Sequence, residues 1–240
     1  MKWSEDYLIN SHDVDLNRIV SASAVMRYMQ DTANLHMENM KPSYNELFDA
    51  GYAYMLSRFA VSVYLPLYSH DRITSQSWAC ESRGASHNRC YRILQGERII
   101  ADAVSSWALV NMETGRLTRA DELALDYGKD EMLEIDTPLR FRIPAEAELS
   151  PVGQRRTEYA DVDMNMHMNN THYPDILCGY IPEITTSRVS SMSLSFVSEA
   201  PLGENIEIQM GKHDGFYYFR TLREDGKTNL EARIGLEKIL

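Results

Sequence analysis

The sequence predicts an α+β fold in which one plan is used twice, a mostly antiparallel sheet wrapped around a central helix. Three observations carry this expectation. Asp13-Val14-Asp15-Leu16-Asn17 returns 148 positions later as Asp161-Val162-Asp163-Met164-Asn165. Each copy runs through a few small or polar residues into a segment that reads as helix. Behind each helix come stretches rich in Ile, Val, Tyr and Thr, interrupted by Gly and Pro. Residues 1–119 are read as the first unit, 120–150 as a linker with some structure, and 151–240 as the second unit.

The elements follow in order. Tyr7-Leu8-Ile9 reads as a strand, and the first copy of the repeat comes next. Ser21 or Ser23 suits the N-cap of a helix reaching about Met40, because a Ser hydroxyl can accept from a free first-turn amide. Val25, Met29, Ala33, Met37 and Met40 recur at three- and four-residue spacing and form one apolar face. Four strands are expected at residues 53–65, 72–83, 88–95 and 98–112, punctuated by Pro66, Gly84 and Gly96. In the linker, residues 120–125 suit a short helix and 138–144 an extended connection. The second half repeats the plan in shorter form, with a helix over 171–180. Its strands are expected near 189–199, 205–210, 216–223 and 230–240, with Asp225-Gly226 as a hairpin turn. Aligning Pro66-Leu67 with Pro201-Leu202 sets Tyr64 opposite Glu199.

Bulk properties exclude several classes. At 240 residues and 44% hydrophobic content, the chain can bury one large core or two ordinary ones, and the repeat favours two similar halves. No run of about 18 apolar residues exists, so no membrane span is expected. The opening Met1-Lys2-Trp3 leads into polar sequence without a secretory signal pattern. Cys80, Cys90 and Cys178 are odd in number and lack CxxC spacing, which suits reduced thiols in a cytoplasmic protein. A net charge of −11 argues against nucleic-acid binding. A local basic patch can still meet an acidic partner. Arg83, Arg89, Arg92 and Arg98 lie close in sequence, as do the pairs Arg140/Arg142 and Arg155/Arg156. The plainer reading makes them solvated strand and loop charges.

The second copy of the repeat alone carries a histidine, His167, where the first has Ile19. Were residues 163–167 extended, Asp163, Asn165 and His167 would share one face and Met164, Met166 and Met168 the other. Asn169 or Asn170 suits the cap of the next helix, and Pro174 is tolerated only near its start. The polar triplet would then lie beside the free amides around Asn169, Asn170 and Thr171, which favour developing negative charge. Turn-and-capping chemistry is the plainer reading of Asp-x-Asn, and core packing or a pliable pocket that of the methionines. A metal set of His167, His172, Cys178 and Asp163 fits no ligand spacing, so no metal is expected.

Asp163-Met164-Asn165-Met166-His167-Met168-Asn169-Asn170-Thr171-His172-Tyr173 closely resembles the Asp-x-Asn-x-His-x-Asn-Asn signature of acyl-ACP thioesterases, plant plastid enzymes and their bacterial relatives. Residues 107–117, beginning Trp107-Ala108-Leu109, resemble the family's segment that ends the first half. The likeness runs from about Tyr7 to Leu240. It implies two tandem hotdog modules and hydrolysis of the thioester between a fatty acyl chain and acyl carrier protein. Asp163, Asn165, His167 and Glu199 fall on the family's catalytic positions. The family often has Cys directly after that Glu; here Ala200 stands there, which removes a thiolate nucleophile.

The mechanism expected on these residues is that Glu199 and His167 activate a water, Asp163 orients His167 or shares that work, and Asn165 positions the water or carbonyl. Direct carboxylate attack through an anhydride is the alternative. The first half, with Ile19 and Tyr64 at the reactive positions, is expected to form the acyl pocket from Met26, Met29, Ala33, Met55, Leu56, Phe59 and Val61. Plain core packing is the competing reading for each. No cofactor is expected, since the phosphopantetheine arm belongs to the carrier protein. The expected setting is the bacterial cytoplasm, and the chain is expected to be a monomer or homodimer. Rival functions are an acyl-CoA thioesterase of the same fold and a non-enzymatic acyl-thioester sensor. The sequence is silent on chain length, branching and unsaturation.

Overall fold

The structure, a computed structural model, describes residues 2–82, 84–123, 125, 128 and 130–239. The first half contains β1 (Trp3–Leu8), α1 (Ala22–Glu38), α2 (Tyr44–Asp49), β2 (Tyr52–Val63), β3 (Arg72–Ala79), β4 (Ser86–Gln95), β5 (Arg98–Asn111) and β6 (Leu117–Thr118). The second contains β7 (Ser150–Arg156), α3 (Tyr173–Cys178), β8 (Ser187–Phe196), β9 (Asn205–His213), β10 (Phe216–Leu222) and β11 (Thr228–Lys238). Among the described residues these strands form one continuous antiparallel sheet, in the order β1-β3-β4-β5-β2-β8-β11-β10-β9-β7, with β6 beside β5.

The order reads the same from both ends. In each half the first strand is outermost, and the strand after the helix region is innermost. The halves join where β2 pairs with β8, and Ala60 lies opposite Ser193. The loops beyond these strands show the equivalence between halves. Tyr64 N and Leu65 N donate to Ile100 O, as Val197 N and Ser198 N donate to Asn229 O. Val20 N donates to Leu67 O, as Met168 N does to Ala200 O. Both sets set positions 133 apart, so Glu199 matches Pro66, not Tyr64. The Pro-Leu pairs misaligned the halves by two residues, because this alignment has no regard for the backbone pairing that fixes register.

Ser21, not Ser23, caps α1, its hydroxyl accepting from Ala24 N at 3.2 Å. Ser23 instead links the helices: its Oγ accepts from Asp175 N at 3.1 Å, and its own N donates to Asp175 Oδ1 at 3.2 Å. The apolar face of α1 packs Val25, Met26, Met29 and Ala33 into a core that runs through both halves to Met192, Leu194 and Phe219. The halves thus share one core. A deletion such as Phe59→Ala in it would cost about 3–5 kcal/mol.

Three elements depart from the expectation. Helix α3 covers Tyr173–Cys178 rather than 171–180, since Pro174 sits in its first turn and supplies no amide to an earlier one. Helix α2 was not expected; a capping box of Ser43 and Glu46 nucleates it. Strand β7 was not expected either. It carries Pro151, bulges between Pro151 and Gly153, and has few β-branched residues. Gly153 lies flat against the Tyr180 ring, where an added Cβ would approach to 2.6 Å.

The linker straps the outer face of the sheet. Leu133, Ile135 and Leu139 cover Trp78, Cys80, Cys90 and Val104. Trp78 Nε1 donates to Glu131 O at 3.1 Å, and Ser193 Oγ to Pro138 O at 2.7 Å, so the strap reaches the junction of the halves. Ala120–Leu123 form a 3-10 turn where a short helix over 120–125 was expected; Ala124, Arg83 of the arginine group and Leu240, the last residue of the expected final strand, lie outside the described residues. Among the described residues no helix is long and apolar enough to cross a membrane.

Candidate active site

The repeated five residues build the same turn twice. In the first half Asp15 N donates to Ile19 O (2.8 Å) and Arg18 N to Asp15 O (2.9 Å). In the second Asp163 N donates to His167 O (3.2 Å) and Met166 N to Asp163 O (3.0 Å). The side chain of the central Asp accepts from the amide two residues on, Asn17 N at 2.8 Å and Asn165 N at 2.9 Å. Arg18 and Met166 both take left-handed backbone, with φ of 63° and 65°. Residues 163–167 are therefore a tight turn, not a strand, because the Asp side chain competes for the backbone amide. Met164 and Met166 project outward, 74% and 61% exposed, while Met168 alone of the three is buried.

The first Asp of each copy anchors its turn. Asp13 accepts from Tyr28 Oη (2.7 Å) and Arg27 Nη2 (3.1 Å). Asp161 accepts from Arg155 Nη2 and from Glu158 N (2.9 Å), and its carbonyl takes Asn169 N at 2.8 Å. Burial works to raise both carboxyls, yet these donors outweigh it and hold each below the usual carboxylate range.

The turn presents His167 to Glu199. Their Nε2 and Oε1 atoms lie 3.8 Å apart, with the His side chain 18% and the Glu side chain 52% exposed. The Glu199 arm is pinned on both sides. Ahead of it, Asn229 Nδ2 donates to Ser198 O (2.6 Å) and Ser198 Oγ to Thr228 O (2.8 Å). Behind it, Met168 N donates to Ala200 O at 2.8 Å. Asn229 is itself held by Thr221 Oγ1 at 2.8 Å. Sequence reading missed Asn229, since a lone Asn inside a strand pattern carries no local signal.

The remaining expected residues separate. Asp163 spends its Oδ1 on the turn; Asn165 is exposed beside it. Asn169 Oδ1 accepts both Thr171 N and Thr171 Oγ1 at 2.9 Å, and Asn169 N is held by Asp161 O. Of the three amides expected to meet negative charge, only Asn170 N–H has no hydrogen-bond partner among the described residues. Of the expected pocket residues, Met26, Met29, Leu56 and Phe59 pack in the shared core and Met55 is partly exposed.

Two cavities of about 300 Å³ lie in the molecule, and neither is bordered by His167 or Glu199. One lies at the first-half turn, between Ile19, Pro66, Val61 and α3, where Ile19 and Pro66 stand in the places of His167 and Glu199. The other is bordered by Ala33, Met37, Tyr44, Tyr54 and Trp107. Burial raises the phenol pKa of Tyr44 on its border, and the Asp163 carboxylate adds to the shift. Among the described residues no group of three or more His, Cys, Asp or Glu is placed to hold a metal ion.

Residues 1–127 match the model of the acyl-ACP thioesterase N-terminal domain, and residues 146–238 that of the C-terminal domain. The chain belongs to the acyl-ACP thioesterase family. It is 26% identical over 230 residues to oleoyl-acyl carrier protein thioesterase 2, chloroplastic, of Arabidopsis thaliana, covering 82% of this chain and 59% of the relative. It thus spans under two thirds of the length of that curated relative. A crystal structure of an acyl-ACP thioesterase from Bacteroides thetaiotaomicron superposes with a TM-score of 0.87 at 18% identity, covering 98% of each chain. The 12:0-ACP thioesterase from Umbellularia californica gives 0.79 at 19% identity, covering 99% of this chain and 98% of that one. These likenesses establish the fold, the tandem hotdog that this acyl-ACP thioesterase family member builds as one sheet.

Proposed function

We propose that the chain hydrolyses the thioester of fatty acyl-acyl carrier protein, releasing free fatty acid and ending elongation. The observation that carries this reading is the meeting of His167 and Glu199 over the turn, where the first half has Ile19 and Pro66. Family membership supports the substrate class.

The 3.8 Å between His167 Nε2 and Glu199 Oε1 is long for a direct hydrogen bond and suits a water bridging both. As the water oxygen bonds to the thioester carbon, its proton passes to His167, with Glu199 holding the water and stabilising the imidazolium. Asn170 N–H meets the oxyanion, and Asn165 orients the carbonyl from its exposed position. Collapse breaks the C–S bond, and His167 returns a proton to the departing phosphopantetheine sulfur. Asp163 acts by holding the turn that carries His167, rather than by bonding the imidazole. The acyl chain runs past Tyr44 into the cavity beside Ala33 and Met37. The enzyme needs no cofactor of its own and works in the bacterial cytoplasm with acyl carrier protein as its partner.

The test is fatty acid release from acyl carrier protein thioesters of graded chain length, with the matching acyl-CoAs alongside. Turnover favouring the carrier protein, and lost in His167→Ala and Glu199→Ala, is expected. Faster turnover of acyl-CoA would move the substrate assignment; tight binding without turnover would make the chain a sensor. Single turnover in oxygen-18 water separates the two chemistries. Label confined to the fatty acid supports direct hydrolysis, and label in Glu199 an anhydride.

A further inference from the structure

The cavity that Tyr44 borders has a wall that a plain hydrocarbon chain does not explain. Beside apolar Ala33, Met37 and Trp107 and the carboxylates Glu81 and Asp121, it is bordered by Arg89 and His87, 6% and 8% exposed. Arg89 uses Nη1 for both of its hydrogen bonds, to His36 Nδ1 and Ser77 Oγ, each at 3.0 Å. Among the described residues its Nε and Nη2 have no partner, and no carboxylate lies within ion-pair distance of the guanidinium. His36 supplies no countercharge: burial and Arg89 hold its imidazole pKa down at about 4, so it accepts as the neutral form. His87 Nδ1 meets Ser82 Oγ at 3.2 Å, while its Nε2 is buried without a partner.

A buried cation lacking a counterion and a buried ring nitrogen lacking a partner are each costly to leave so. Both line the same cavity, where a ligand atom can satisfy what the protein does not. An oxygen accepts from guanidinium N–H groups, and a hydroxyl or carboxylate can also bond an imidazole nitrogen in a matching tautomer.

We propose that this cavity selects acyl chains whose far end carries an oxygen, as a terminal hydroxyl or carboxylate, held by Arg89 and His87. The inference rests on the acyl-thioester reading above for the route by which the chain arrives.

The experiment titrates the full chain calorimetrically with acyl-pantetheine amides of one length, which carry no thioester to cleave. Three tails are compared: methyl, hydroxymethyl and carboxylate. At least about tenfold tighter binding of an oxygen-bearing tail is expected, the worth of one charge-assisted hydrogen bond. A preference for carboxylate assigns the tail by charge; a preference for hydroxyl assigns it by hydrogen bonding. Arg89→Met should abolish the preference while leaving methyl-tail binding intact. His87→Phe should reduce it, and decides the matter if Arg89→Met does not fold. Equal or tighter binding of the methyl tail to the unmodified chain overturns the proposal, as does a preference undiminished in the folded variants. Acyl carrier protein turnover is measured in parallel. Turnover without tail preference sinks this inference alone, and tail preference without turnover sinks only the hydrolase reading.

Discussion

The two turns of the repeat have nearly the same backbone and carry different side chains. Asp15 and Asp163 each cap the amide two residues on, Arg18 and Met166 each take left-handed backbone, and Asp13 and Asp161 each anchor the loop from a buried site. What differs is one residue on the turn and one on the neighbouring arm, Ile19 with Pro66 against His167 with Glu199. The shared Asp-x-Asn is therefore turn chemistry in both halves. Under the proposed function, reactivity is added to that frame by two side chains, His167 and Glu199, while the shared residues build the turn.

This contrast can be broken most directly at the reactive pair. His167→Ala and Glu199→Ala should each lower kcat by about 10²–10⁴-fold with the melting temperature nearly unchanged. The twin change Ile19→Ala, at a buried apolar position, should do the reverse, costing about 2–5 kcal/mol of stability and leaving kcat alone. Steady-state kinetics and thermal melts on all three decide it, and equal kinetic losses would erase the asymmetry.

Next in size is the clamp on the Glu199 arm. Asn229→Ala leaves the Ser198 carbonyl and the Thr221 hydroxyl without their partner, and should cost about 1–3 kcal/mol. If the arm's position matters to the reaction, kcat falls further than KM rises. Restoring the amide with Gln should recover part of the loss, which a purely structural role would not couple to kcat.

The anchors predict a shared acid limb. Asp13 and Asp161 have folded pKa values below the unfolded value of about 3.9, so their contribution is fully present above that value. It is lost as pH falls through the lowered folded values. Asp13→Asn and Asp161→Asn should each lower stability near pH 7 and flatten its loss below about pH 4, followed by denaturant titration across pH. A flattened limb in only one variant would show that the halves are anchored differently.

The turn caps should be worth about 1 kcal/mol each. Asp15→Ala and Asp163→Ala are expected to destabilise alike, while only Asp163→Ala lowers kcat, by loosening the turn that carries His167. The smallest effects belong to Leu16→Gln and Met164→Gln, both exposed at the tips, which should change stability by no more than about 0.5 kcal/mol.

Local patterns made much of this legible. The apolar spacing of α1, most strands of the two halves and a serine cap at Ser21 or Ser23 follow from patterns within a few residues. The repeat pointed to two matching halves, and the motif to His167 and Glu199, which meet as expected. Other features were hidden for identifiable reasons. Residues 163–167 alternate like a strand, yet a single side chain-to-amide bond folds them into a turn. Strand β7 exists because β9 offers a free edge, not because its own residues favour extension. Tyr64 was placed opposite Glu199 by a matching dipeptide, whereas backbone pairing puts Pro66 there.

By itself the sequence determined the duplicated plan and the caps and periodicities of most of its elements, because these depend on short-range chemistry. Only the tertiary structure decided that the halves fuse through β2 and β8 into one sheet and one core. It also decided that the linker covers the outer face, that Asn229 clamps the Glu199 arm, and that Arg89 and His87 end up against a cavity. Those outcomes bring together residues far apart in the chain, and no local preference specifies which distant backbone edge or side chain will be there to meet them.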